Sequence, residues 1–144
     1  MTLPEAVDEN LSFLLAELDS QLTMLHAYFE APQTETAQRL VQRAGYSHNL
    51  GSRVQKACLS GLLRGKSTQT RHLQLQSIDT LARNLNLLSR LARRAVQHAE
   101  SVAQRKLLRA EAYVKPIRQV RSSLRLVQVA LQSRDSRKAV KIGQ

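Results

Sequence analysis

The residues of this chain that could do chemistry are few and scattered. His26, His48, His72 and His98 share no short metal-ligand spacing, and neither a cysteine nor a pair of carboxylates stands beside any of them. They read as structural or surface groups, and no nucleophile, base and orienting group can be assembled from local motifs. Cys58 is the sole cysteine, which excludes an internal disulfide and any multi-cysteine metal site, fits a reducing compartment, and reads as a small core residue. The stretch GLLRGKST from Gly61 to Thr68 resembles a phosphate-binding P-loop only in part: its first glycine is one residue too close, and a helical pattern rather than a strand precedes it. It reads as a solvated connection, with an anion held by Arg64 and Lys66 at the next helix N-terminus as the lesser reading. No catalysis, no cofactor and no metal is therefore expected.

Arginine is the stronger signal. Arg83, Arg90, Arg94 and Arg105 fall within about 60° of one another on a 3.6-residue wheel, nearly opposite an apolar stripe. Together with Arg93 they form a basic ridge, the candidate partner-binding surface, to be weighed against an ordinary solvated helix face. Its anionic partners by chemistry are an acidic protein surface, lipid headgroups or nucleic acid. The chain carries a net charge of +11 and a pI near 10.9, but the charge is divided. Seven acids (Glu5, Asp8, Glu9, Glu17, Asp19, Glu30 and Glu35) precede the first base, Arg39, and the rest of the chain holds all 22 bases. An acidic first helix can therefore neutralise part of a basic bundle internally. With no Trp, two Phe and three Tyr, and no recognisable finger, zipper or recognition-helix signature, nucleic acid is the second choice of partner.

The elements that must carry these groups are helices. Leu, Ala, Gln and Arg dominate, with five Gly and three Pro in 144 residues. Pro4 and the acids after it open a segment over about residues 5–30, with Leu11, Leu14, Leu18, Leu22, Leu25 and Phe29 on one stripe. Ala31 to Thr34 interrupts the pattern, and a second helix begins at Thr34, weakened locally by Gly45 and Gly51. After Arg64 to Thr70, a third helix over about 71–112 shows Ile78, Leu81, Leu85, Leu88, Ala92, Ala95, Ala99 and Val102 alternating by three and four. At 1.5 Å per residue it would run for about 60 Å, which implies an elongated molecule. Tyr113 to Pro116 reads as the next turn, followed by a fourth segment with Ile117, Val120, Leu124, Val127 and Leu131 inward. Overlaying segments one and four at an offset of 102 residues aligns Leu22, Leu25, Phe29, Ala37 and Leu40 with Leu124, Val127, Leu131, Ala139 and Ile142. This weak internal repeat is what a chain made of one three-helix unit and the opening of another would show.

The stretch Leu88 to Glu100 resembles the signature helix of PhoU-type domains, of the form L-E-R-I-A/G-D-H-A-x-N-I-A-E, with Leu88, Arg90, Ala92, Ala95, Ala99 and Glu100 matching. The two long helices, the connection before the third and the repeat of about 100 residues are similar to that family too. The resemblance spans about residues 10–144 and implies an up-down helical bundle, with 1–113 as a three-helix unit and 114–144 as a fourth helix and basic tail. It also implies a regulator that contacts transporter components and sensor kinases in phosphate or ion uptake. Some family members bind metal clusters through an E-x-x-x-D motif. Ser89 and Arg93 replace both carboxylates here, and a guanidinium repels a cation, so no such cluster is expected.

The sequence thus reads as an all-α, non-catalytic regulatory or adaptor bundle docking on a transporter or another membrane-associated signalling protein. A soluble regulatory domain of a sodium–phosphate symporter-like protein is an alternative, as is a nucleic-acid-binding basic protein. A homodimer would be one cover for apolar stripes left open. No apolar run approaches the roughly 18 residues of a membrane span, and Met1 to Gln21 is acidic where a signal peptide needs a basic start, so a cytoplasmic location, peripheral to the membrane, is expected.

Overall fold

The computed structural model describes residues 3–64 and 68–133. Four helices carry the described chain: α1 (Glu5–Glu30), α2 (Thr34–Leu63), α3 (Gln69–Gln104) and α4 (Glu111–Ser133). No strand occurs among the described residues. The protein is an all-α helical bundle, and no described helix is long and apolar enough to cross a membrane.

Helix ends follow local chemistry. The amides of Val7 and Asp8 donate to the Pro4 carbonyl, so Pro4 sits where its missing N–H costs nothing and Glu5 and Asp8 face the positive end of α1. The Thr68 hydroxyl accepts from the Arg71 amide at 3.3 Å and caps α3. Within the P-loop-like stretch, Gly61 to Leu63 are the last turn of α2, and Gly65, Lys66 and Ser67 lie outside the described residues.

The far end of α3 departs from the sequence expectation. The helix stops at Gln104 rather than near 112, because Lys106 adopts a left-handed backbone conformation (φ 59°). Its amide donates to the Ala103 carbonyl at 2.9 Å and that of Leu107 to Val102 at 3.2 Å, the bonding of a Schellman cap built on lysine instead of glycine. The following turn ends early, and Tyr113 to Pro116 are not a turn but part of α4, which accommodates Pro116 in its second turn.

The packed residues form two compact units, Met1–Leu18 with Arg43–Leu91, and Asp19–Gln42 with Ala92–Gln144. In the first unit, α1 buries Val7, Leu11, Leu14, Leu15 and Leu18. In the same unit α3 buries Leu75, Ile78, Ala82, Leu85 and Ser89, and α2 supplies smaller groups, Ser47, Gly51, Val54 and Cys58 beside Leu50. The buried Glu17 carboxylate accepts two hydrogen bonds from Arg43, at 2.8 and 2.6 Å, a forked geometry that compensates its desolvation. This bonding raises the Arg43 pKa against the opposing effect of its own burial.

In the second unit the α3 positions are small, Ala92, Val96 and Ala99, and two aromatic residues of α1 take the space. Tyr28 is fully buried and donates to Glu100 at 2.7 Å; burial, with the carboxylate beside it, pushes the phenol pKa well above its ordinary value. Phe29 packs edge-on to Tyr28 and tilted against Tyr113 of α4, at centroid distances of 5.2 and 5.1 Å. Helix α4 buries only Leu124 fully and adds polar ties to α1, Arg125 to Asp19 at 3.7 Å and Arg121 to His26 at 3.3 Å.

The buried stripe of α3 is rotated from the one read in the sequence. Leu81 and Leu88 are half-buried and Ala95 and Val102 exposed, while Leu75, Ala82, Ser89 and Val96 take the inward positions. The inward set still alternates by three and four, with Ala82 and Ser89 holding places that Leu81 and Leu88 were expected to fill. In the fourth segment Leu124 is inward as expected, but Val120 is exposed. The partner residues Ala139 and Ile142 of the weak internal repeat lie outside the described residues.

Two stability outcomes follow. Lys106→Gly relieves the left-handed strain and should stabilise the protein by about 1 kcal/mol, read as a rise of about 3 °C in the thermal midpoint. Arg43→Ala leaves the Glu17 carboxylate buried without its forked partner and should cost about 2–4 kcal/mol in chemical denaturation, with Arg43→Lys recovering only part.

Candidate functional site

The site is built where α2 and α3 approach in the first unit. Along α2 the residues Ala44, Ser47, Gly51, Val54 and Cys58 recur by three and four, so the face toward α3 is a run of small side chains. The two helices run in opposite senses: Gly61 meets Leu75, Gly51 meets Asn86, and Ser47 meets Ser89. Gly51 accommodates the close approach: a Cβ there would collide with the side-chain amide nitrogen of Asn86 and sit 2.6 Å from its side-chain carbonyl carbon, so that side chain would have to move. One turn away, the buried hydroxyls of Ser47 and Ser89 lie 2.7 Å apart. Ser47 also donates to the Ala44 carbonyl at 2.9 Å.

Above this floor the helices diverge into a groove of about 230 Å³. Its α2 wall carries His48, Ser52 and Gln55, and its α3 wall Arg83, Asn86 and Arg90. Each wall is a single stripe, at i, i+4, i+7 on α2 and i, i+3, i+7 on α3. Arg83 donates its Nε to the Asp79 carboxylate at 3.0 Å, and its terminal amino groups have no partner among the described residues. Arg90 has no carboxylate partner among the described residues. The Asn86 carbonyl oxygen is buried and without a hydrogen-bond partner among the described residues. Beyond Arg83 the groove widens to about 700 Å³ and turns apolar on one side, with Leu59 and Leu62 of α2 opposite Gln76 and Thr80.

Of the five arginines read as a ridge, the structure brings two together in this groove, Arg83 and Arg90. Arg93 and Arg94 are exposed on α3 within the second unit. Arg105 is exposed but leaves the helical ridge, because α3 ends one residue before it and the chain turns at Lys106. Sequence reading missed the α2 wall, His48, Ser52 and Gln55, and read Ser89 only as a lost carboxylate. The small-residue run on α2 was the signal that could have found them, since it marks the face that α3 approaches.

Cys58 and His26 lie away from the walls of the groove of about 230 Å³, and His72 and His98 are exposed on α3. Cys58 is buried, and burial, with the charge of Asp79 nearby, pushes its thiol up to about 11. His26 is wedged between Glu30, 3.5 Å away, and Arg121. Among the described residues no three His, Cys, Asp or Glu side chains gather closely enough to hold a metal ion.

The packing behind the groove is testable by a double-mutant cycle. Gly51→Ala should cost about 1–2 kcal/mol despite its better helix propensity, because Asn86 must give way. In an Asn86→Ala background the same change should stabilise by about 0.5–1 kcal/mol, and equal effects in the two backgrounds would show that the close approach is not there.

No known protein family, curated protein or solved structure matches the chain.

Proposed function

We propose that this protein is a non-catalytic regulatory or adaptor bundle that docks on an anionic surface of a membrane-associated protein, a transporter component or a sensor kinase, from the cytoplasmic side. The observation that carries this reading is the α2–α3 groove of the first unit, edged by the guanidinium groups of Arg83 and Arg90. Two cations on a polar floor recognise carboxylates or phosphates by charge-assisted, forked hydrogen bonds. The resemblance of Leu88 to Glu100 to the PhoU signature helix supports the same role, with docking retained where the metal carboxylates are not. At those two positions, Ser89 is committed to a buried hydroxyl bond and Arg93 is an exposed cation.

A second reading, nonspecific nucleic-acid binding, rests on a separate observation. The second unit exposes Arg93 and Arg94 on α3 and Arg105, Lys106 and Arg109 in the turn that follows. Such a cluster would contact phosphates with an affinity that falls steeply with salt.

Capture from native membranes with wild type, Arg83→Glu/Arg90→Glu and Arg93→Glu/Arg94→Glu proteins separates the two. The docking reading expects the same membrane proteins with wild type and the 93/94 variant, and their loss with the 83/90 variant. Identical partners with all three proteins would defeat the groove as the docking surface. Partners lost only with the 93/94 variant and on nuclease treatment would favour nucleic acid.

A further inference from the structure

We infer that the groove takes a disordered acidic segment of a protein partner, bound in polyproline II conformation with two carboxylates three residues apart. The inference rests on the docking reading above and names the chemistry of its ligand. It follows from the spacing of the groove's own groups. Arg83 and Arg90 are seven positions apart on α3, about 10.5 Å along the helix axis. A polyproline II segment brings every third side chain to one face, and three residues advance it by about 9.3 Å, so acidic side chains at i and i+3 reach both guanidinium groups. A β-strand would point residues i and i+3 to opposite faces. An α-helix would need acids seven positions apart to span the same distance, more than twice the residues that a polyproline II segment uses.

The groove's other features suit the same occupant. A polyproline II backbone makes no internal hydrogen bonds, so its amides need outside acceptors. Asn86 lies between the two arginines, one turn from Arg83, with a carbonyl oxygen that has no partner among the described residues. Beyond Arg83 the groove meets Leu59, half-exposed and about 9 Å further along α2 from the level of Arg83. That distance is again three residues of polyproline II, so an apolar residue three positions beyond the carboxylate at Arg83 would cover Leu59. The occupant is thus an acidic segment of the pattern apolar-x-x-acid-x-x-acid.

Binding is read by fluorescence anisotropy with a labelled peptide, Leu-Pro-Ser-Glu-Pro-Pro-Glu-Ser-Pro-Leu, which reads the same in both directions and so needs no assumption about polarity. One-site binding is expected, weakened at least about tenfold by Arg83→Gln/Arg90→Gln and unchanged within about twofold by Arg93→Gln/Arg94→Gln. A peptide with one more proline between the glutamates, which turns the second carboxylate off the face, should bind at least about fivefold more weakly. All substituted side chains are exposed, and an unchanged far-UV circular dichroism spectrum certifies each variant's fold. The inference is overturned by absence of saturable binding, by equal affinity for the two spacings, or by indifference to Arg83 and Arg90. It is also overturned if a helical peptide with glutamates seven apart binds better, or if single-stranded DNA binds the groove more tightly than the peptide and displaces it. Membrane capture that still depends on Arg83 and Arg90 when the peptide does not bind would leave the docking reading standing and remove only this ligand; failure of both removes both.

Discussion

The buried contact between the Ser47 and Ser89 hydroxyls sets the constraint on which the first unit depends. Two hydroxyls desolvated in a core are costly unless paired, so the pair penalises any sliding of α2 along α3. A shift by one residue would strand both groups against apolar neighbours. Gly51 under Asn86 imposes the same register sterically, one turn away. The leucines of α1 and α3 supply the apolar burial that holds the unit closed, but leucine contacts tolerate small slips far better than a hydroxyl pair does. The walls of the groove are consequences of this register: only when Ser47 is level with Ser89 does His48 stand across from Arg90, and Ser52 and Gln55 across from Arg83.

Charge is arranged around the same packing. The acids of α1 are partly consumed by the bundle itself, Glu17 by Arg43 in the first unit and Asp19 by Arg125 in the second. Exposed i, i+4 pairs such as Glu35 with Arg39 contribute little energy but cancel charge locally. What survives is a set of arginines whose positions are fixed by helix register rather than by acidic partners. Arg90 is the clearest of these. Arg83 is paired with Asp79 through Nε alone and keeps its terminal donors to spare for a ligand.

How much of this could be read from the sequence depended on whether the signal was local. The limits of α1 were legible, because Pro4, the early acids and the break at Ala31 to Gln33 all act within one turn. The inward face of α3 was misread by one helical position. Leu81 and Leu88 outweigh Ala82 and Ser89 in any count of apolar residues, whereas the structure selects the smaller set because α2 and α1 press close there. The end of α3 was hidden for a different reason: the left-handed residue that stops the helix is Lys106, and nothing in a lysine announces the conformation that a glycine would. Pro116 drew the break to itself, although a proline in the opening turns of a helix removes few bonds.

The candidate site divides along the same line. Arg83 and Arg90 were found because a helical wheel is enough to place two residues of one helix on one face. Their separation from Arg105 required the Lys106 turn, and their companionship with His48, Ser52 and Gln55 required the pairing of α2 with α3, which only the close approach at Gly51 and the hydroxyls of Ser47 and Ser89 determine. The small, polar residues that seem weakest in a hydrophobic pattern are therefore the most informative ones here. They bring the backbones together beneath the groove, and by staying short they leave open, above them, the space that two arginines flank.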